Sequence, residues 1–304
     1  MKYLWLSILL LAGGQYHLLP NNLTVTHNSE VVATINRTHF SNPLIDLPII
    51  HSKKYDDFIE SLRKKIDEPP VNATLDAHGN IVPEKVGYTL DREAFTHLFY
   101  TYFFNQGSSF VEAPMRRIFP TVDSELLSQI RVKRIGQYST YFNTNNRERS
   151  HNLSLASKAI NNHVIFPGET FSFNQVVGKR TKEKGYMRAP VIVKGEMSED
   201  IGGGICQISS TLYNAVDRAG LTITERYSHS KRVAYVPPGR DATVSWYGPD
   251  FRFTNKYNQP ILIRATIYGG TSSISIYSSE DIKVVPRRIP SASHEIPEEV
   301  LKHN

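Results

Sequence analysis

The stretch "EDIGGGICQISSTLYNAVDRAG", residues 199–220, decides how the second half of this chain folds. Ile205, Ile208, Leu212, Ala215, Val216 and Ala219 recur three and four apart, the spacing of one helical face. Gly202, Gly203 and Gly204 precede the apolar run, and Gly220 stands where a C′ residue is needed. The spacing predicts a helix over about 205–219 with Cys206 in its first turn. Cys206 is the single cysteine of 304 residues, so no intramolecular disulfide can form.

A thiol at that place has chemistry open to it. The first N–H groups of a helix lack intrahelical acceptors, and the helix dipole puts partial positive charge there. Both effects favour thiolate over thiol. Gly203, Gly204 and the Cys206 backbone are candidate donors to a developing oxyanion. The bland alternative is a buried cysteine packing as a small hydrophobe. A nucleophile also needs a base, and His229, within "ERYSHSKRVAYVPPGRDATV" (225–244), is the best placed of 11 histidines. It follows the helix by one turn and a strand predicted over Thr222–Arg226, which can bring it back beside the helix start. Asp241 can orient the imidazole or cap a turn, with similar weight. His151 and His163, flanking the preceding helix, are alternative bases. Gln207, Arg226 and Arg232 are the candidate substrate contacts, with Lys231 beside them, although charged residues of this kind are more often solvated.

Composition narrows the classes. A hydrophobic content of 40% with 16 Tyr and 14 Phe belongs to a globular chain. The net charge of +6 favours anionic surroundings, but no run of five or more Lys/Arg occurs, so nucleic acid is not an expected partner. "MKYLWLSILLLAGGQ" has a positive start, an apolar stretch too short to span a membrane, and small residues suited to cleavage. Residues 1–18 therefore read as a signal peptide, with the mature protein outside the cytoplasmic membrane and no stable span. There is no HExxH, paired cysteine or His-x-His, so neither a metal nor a cofactor is expected. "VVGKRT" ends like a phosphate loop, but Phe173 replaces the leading Gly and Arg180 the required Ser or Thr.

Along the chain, a helix is predicted over Tyr55–Ile66, and a hairpin around His78-Gly79-Asn80. A second helix follows, capped by Asp91 with Phe95, Leu98 and Phe99 inward. Asn152 is read as the cap of the helix before "VIFPGETFSFNQVVG". "TVSWY" and "ILIRATIY" alternate as strands do. The residues after Ser278 are charged and proline-containing, and read as a loose tail.

"NLSLASKAINNHVIFPGETFSFNQVVG", "GGGICQISSTLYNA" and "RYSHSKRVAYVPPGRDATVSWYGPDFRFTNKYNQPILIRA" together resemble the VanW domain, from about Gln137 to Ala265. "PPVNATLDAHGNIVPEKVGYTLD" is similar to the peptidoglycan-binding domain that often precedes VanW domains in exported proteins of Gram-positive bacteria. The resemblance implies a cell-wall protein. Some members act as L,D-transpeptidases through the cysteine of the GGGxCQ motif, here Cys206, and His229 matches the family's recurrent histidine. The G5 domain often appended in the family is not recognisable. The expected fold is α+β in two domains: a small peptidoglycan-binding-like domain over 19–134 and a strand-rich VanW domain over 135–278, followed by a tail over 279–304. The expected partners are peptidoglycan stem peptides. A wall-binding protein with a structural cysteine is the competing reading.

Overall fold

The computed structural model describes residues 21–41, 49–105, 107–193 and 196–295, so the expected signal peptide lies outside the described residues. In chain order the elements begin with strands β1 (Asn22–His27) and β2 (Glu30–Asn36) and helix α1 (Ser52–Ile66). Strands β3 (Thr74–Leu75), β4 (Ile81–Val82) and β5 (Gly87–Leu90), helix α2 (Arg92–Phe104), strands β6 (Ser109–Glu112) and β7 (Met115–Ile118), and helix α3 (Ser124–Ile130) follow. Next come β8 (Lys133–Tyr141), α4 (Arg147–Ile160), β9 (His163–Ile165), β10 (Thr170–Ser172), α5 (Phe173–Val177), β11 (Arg188–Val193) and β12 (Glu196–Ile201). The chain continues with α6 (Cys206–Arg218), β13 (Thr222–Glu225), β14 (Arg252–Thr254), β15 (Ile261–Tyr268) and β16 (Thr271–Ser278). This is a mixed α+β fold, as the sequence predicts.

The chain divides into two compact units. One holds the described residues up to Asn72 with Glu84–Thr121; the other holds Ala73–Pro83 and the described residues from Val122 on. In the first, β1 lies between β2, antiparallel, and β6, parallel. Helix α1 buries Tyr55, Ile59, Leu62 and Ile66, one helical stripe. Asp91 caps α2 by accepting the Ala94 N–H at 3.0 Å. Phe95, Phe99, Tyr102 and Phe103 of α2 point inward, whereas Leu98 is 39% exposed, so the buried stripe runs one position off the predicted one. The ring of Phe99 packs against Phe40 and Tyr55 at 5.1 and 4.6 Å.

The second unit is built on a four-stranded antiparallel sheet, β8-β16-β15-β9. The alternation of "ILIRATIY" sends Ile261, Ile263 and Ala265 to the main core. Leu262, on the other face, joins Ala73, Leu75, Val122, Leu127 and Ile130. Helix α6 packs across β8 and β16, and α4 against β15. Gly220 ends α6 at φ +76°, the left-handed conformation of a C′ residue.

Three local expectations are corrected. The cap of α4 is Asn146, which accepts the Arg149 N–H at 3.2 Å. Asn152 lies inside the helix, fully buried, because its amide bonds the Met187 N–H and the carbonyls of Met187 and Gly203. "TVSWY" forms no strand; its backbone bonds a loop and a helix instead. The residues after Ser278 are not loose as far as Glu295. Ile282 is 2% exposed, Tyr138 donates to the Pro290 carbonyl at 2.9 Å, and Arg287 reaches Asp217 at 2.6 Å. Ile282→Ala is expected to cost about 2–4 kcal/mol, the usual price of truncating a core aliphatic residue. Val285→Ala, at a position 76% exposed, should stay within about 0.5 kcal/mol. Chemical denaturation of the two variants checks this; equal midpoints would refute the packing of the tail.

Candidate active site

Helix α6 begins at Cys206, and every residue from Gln207 to Asp217 is buried. Its polar face is therefore not a solvent face. Ser209 donates to the Ala242 carbonyl at 2.5 Å, and the Ala242 N–H donates to Ser210 at 2.9 Å. Asn214 donates to the Arg240 carbonyl at 2.8 Å and accepts from the Arg240 guanidinium at 2.7 Å. These bonds lay residues 240–244 along the helix with no strand partner. They end at the thiol, where the Val244 N–H donates to Cys206 Sγ at 3.4 Å, with Thr243 Oγ1 at 3.8 Å.

The same segment carries Asp241. Its Oδ2 accepts from both the backbone N–H and the Nδ1 of His229, at 2.6 and 2.7 Å. With Nδ1 turned to Asp241, Nε2 is the ring atom left for the thiol. The side chains of His229 and Asp241 are only 7% and 9% exposed. Burial pushes the His229 imidazolium toward deprotonation, but its bonds to Asp241 and Cys206 and the charges of both outweigh this and raise its pKa to about 9. Burial likewise works against the Cys206 thiolate, yet His229 and the Val244 N–H hold the thiol below its ordinary value. For Asp241, burial is opposed by the two His229 donors, and its carboxyl titrates below the ordinary value. The three groups thus run from thiol to imidazole to carboxylate, and each favours the charged form of its neighbour. Such a line can deliver a nucleophile and then a proton.

The turn before Cys206 is held close to β11. A Cβ on Gly203 would sit 2.2 Å from the Ala189 carbonyl oxygen, so only glycine fits there. The Gly203 N–H donates to the Asp200 carbonyl at 3.2 Å, which removes it from the candidate oxyanion donors. The N–H groups of Gly204 and Cys206 meet no acceptor among the described residues. Gln207 is not a substrate contact. It is fully buried; its oxygen accepts from Arg149 at 2.7 Å, and its nitrogen donates to Thr140 and the Tyr141 carbonyl, each at 3.0 Å. Arg226 is also a brace: its Nη1 donates to the Asp241 carbonyl at 2.6 Å and its guanidinium stacks on Tyr213. Arg232 and Lys231 are exposed.

The alternative bases lie elsewhere. His151 bonds the Gly185 carbonyl at 3.0 Å, and His163 is a strand residue packed on Phe171 whose pKa burial lowers. Sequence reasoning missed two side chains within electrostatic reach of Cys206. Tyr235 is kept protonated by burial, and the guanidinium of Arg180 lies close enough to interact with the thiolate. Nothing local in sequence joins either to residue 206. An open cleft of about 550 Å³ lies between the start of α4 and the β11–β12 pair, lined by Asn146, Glu148, Arg188 and Glu199 among others. None of the three aligned residues lines it. Among the described residues no cluster of His, Cys, Asp and Glu could hold a metal ion, and no helix is long and apolar enough to cross a membrane.

Residues 148–277 match the family described as VanW like protein. The chain is 59% identical over 280 residues to the uncharacterized protein YoaR of Bacillus subtilis, covering 92% of each. It is 35% identical over 109 residues to the vancomycin B-type resistance protein VanW of Enterococcus faecalis, covering 34% of this chain and 40% of that protein. No solved structure matches.

The geometry makes one prediction about the thiol. Removing the imidazolium removes the group that lowers its pKa, so His229→Ala should move the pH profile of iodoacetamide labelling at Cys206 to higher pH. His151→Ala and His163→Ala should leave the profile of the parent. A His229→Ala profile that coincides with the parent's would refute the coupling.

Proposed function

Because this chain belongs to the VanW-like family, we propose that it is a cell-wall enzyme, a cysteine acyltransferase that acts on peptidoglycan stem peptides in the manner of an L,D-transpeptidase. The observation that carries this reading is the alignment of Cys206, His229 and Asp241 beside two N–H groups at a helix start that meet no acceptor among the described residues. A relative named for vancomycin resistance supports the cell wall as the setting. The signal-like N-terminus supports export, and the preceding stretch, similar to a peptidoglycan-binding domain, would add affinity for the polymer.

In the proposed reaction the Cys206 thiolate attacks the carbonyl of the third stem residue. The oxyanion forms beside the N–H groups of Gly204 and Cys206. As the C–N bond breaks, the His229 imidazolium gives its proton to the departing amine of D-alanine, and a thioester remains on Cys206. An amine of a neighbouring stem then attacks the thioester, its proton passes to His229, and the thiolate is released with a cross-link formed. Water in place of the amine would give a carboxypeptidase. Asp241 keeps Nε2 directed at the sulfur and balances the imidazolium charge.

Activity therefore needs thiolate and imidazolium together. It should fall as pH rises through about 9, where His229 loses its proton, and fall again as pH drops below the lowered thiol pKa. Cys206→Ala should keep the fold, since Ala is a good helix former, and form no thioester. His229→Ala should slow acylation by about 10²–10⁴-fold, the usual contribution of a positioned acid–base group. Intact-protein mass spectrometry after mixing with purified muropeptides reads the thioester, and mass analysis of the products reads cross-link against hydrolysis. Full activity of Cys206→Ala, or no adduct on the parent at any pH, would sink the reading.

A further inference from the structure

Arg180 is the unexplained charge of this unit. Its Nη1 and Nη2 are buried and meet no hydrogen-bond acceptor among the described residues. Its position is nevertheless fixed. The stem lies against Gly202, where a Cβ would come within 3.0 Å of both Cβ and Cγ of Arg180, and the guanidinium lies 5.8 Å from the centre of the Phe173 ring. Gly202 opens the turn that leads to Cys206, so the cation belongs to the surroundings of the thiol.

A buried guanidinium calls for an anion. The groups whose charge reaches Arg180 are Cys206, Tyr186 and Asp250. Tyr186 is buried and kept protonated. The carboxylate of Asp250 is already bonded, to Ser172 at 2.5 Å and to the N–H groups of Asn174 and Phe251 at 2.9 and 2.8 Å. The thiolate remains, but it makes no hydrogen bond to Arg180. Two adjacent N–H donors on one fork match the two oxygens of a carboxylate. In a peptide cleaved at its last amide, the terminal carboxylate carbon is three bonds from the attacked carbonyl carbon. A cation that recognises it must therefore lie close to the nucleophile.

Resting on the acyltransferase reading above, we infer that Arg180 binds the free α-carboxylate of the residue expelled in acylation, so that the site selects acyl donors whose scissile amide is the last in the peptide. An internal amide carries no carboxylate at that distance. The product released is a free amino acid, its amine protonated by His229 as the C–N bond gives way to C–S.

The test uses the full chain with a stem tetrapeptide ending in D-alanine and the same peptide closed as a C-terminal amide. The parent should favour the free acid by about 10- to 100-fold in kcat/KM, the range of a charge-assisted pair. Arg180→Gln should lose that preference, mainly through KM, while Arg180→Lys keeps part of it as a single point charge. The iodoacetamide profile of Cys206 should move little in either variant. A parent that uses acid and amide alike would overturn the inference and leave the acyltransferase reading standing. So would an Arg180→Gln variant that slows both donors equally with a shifted thiol profile, which would make Arg180 a thiolate partner only. Calorimetric binding to Cys206→Ala separates the remaining case. If the parent turns over neither peptide, the acyltransferase reading fails. The carboxylate site then stands if Cys206→Ala binds the acid and not the amide and the added Arg180→Gln abolishes this; it falls if binding is absent or equal.

Discussion

The polar face of α6 is the constraint on which the candidate site depends. Ser209, Ser210 and Asn214 are fully buried, and a buried hydroxyl or amide without a partner costs about 1–3 kcal/mol. Their partners are the carbonyls and N–H groups of Arg240 and Ala242, in a segment with no strand of its own to satisfy them. Each side therefore settles the needs of the other. The bonding fixes residues 240–244 at set heights along the helix, and Asp241 and Val244 take their places from it. Replacing Ser210 would leave the Ala242 N–H without its acceptor.

Electrostatics at the two ends of the helix differ in kind. At its start, burial opposes a thiolate and an imidazolium alike, and each is favoured by the other, with Asp241 behind the ring. Arg226 adds a cation nearby but bonds the carbonyl of Asp241, so it does not compete with His229 for the carboxylate. At the other end, Asp217 accepts from Arg240 at 2.7 Å and from Arg287 at 2.6 Å. Those cations lie beside the last turn of α6, where the helix dipole favours them, and Arg287 fastens the segment after β16 to the helix. One helix thus holds the site at its first turn and the chain's later residues at its last.

What the sequence made legible follows from local physics. The period of the apolar residues, the glycines before them and Gly220 after them placed the helix and put Cys206 at its start. Chain reach favoured His229 over His151 and His163, and the three occupy different surroundings in the structure. What was not legible depends on partners far along the chain. Gln207 beside a candidate nucleophile reads as a substrate contact, but Arg149 and Thr140, 58 and 67 residues away, take its amide. Asn152 reads as a cap because its tertiary partners, Met187 and Gly203, are invisible locally. "TVSWY" alternates like a strand, yet the groups that satisfy its backbone belong to a loop and to Cys206. Arg180 looked like a flaw in a phosphate loop, and only burial marks it as a charge that needs a partner.

Gln207 also bears on the proposed transition-state stabilisation at the first turn of α6. Its amide ties the helix start to α4 through Arg149 and to β8 through Thr140 and Tyr141, so the turn is held from two directions. Asn152 fixes the carbonyl of Gly203 at 3.0 Å from the α4 side, and the Asp200 carbonyl takes its N–H. The next N–H groups, those of Gly204 and Cys206, which meet no acceptor among the described residues, then have little freedom to turn away. Donors held in place before charge develops need no reorganisation when it does, which is where such groups contribute most. Gln207, buried and bonded on both amide atoms, is thus what holds the proposed oxyanion donors in place.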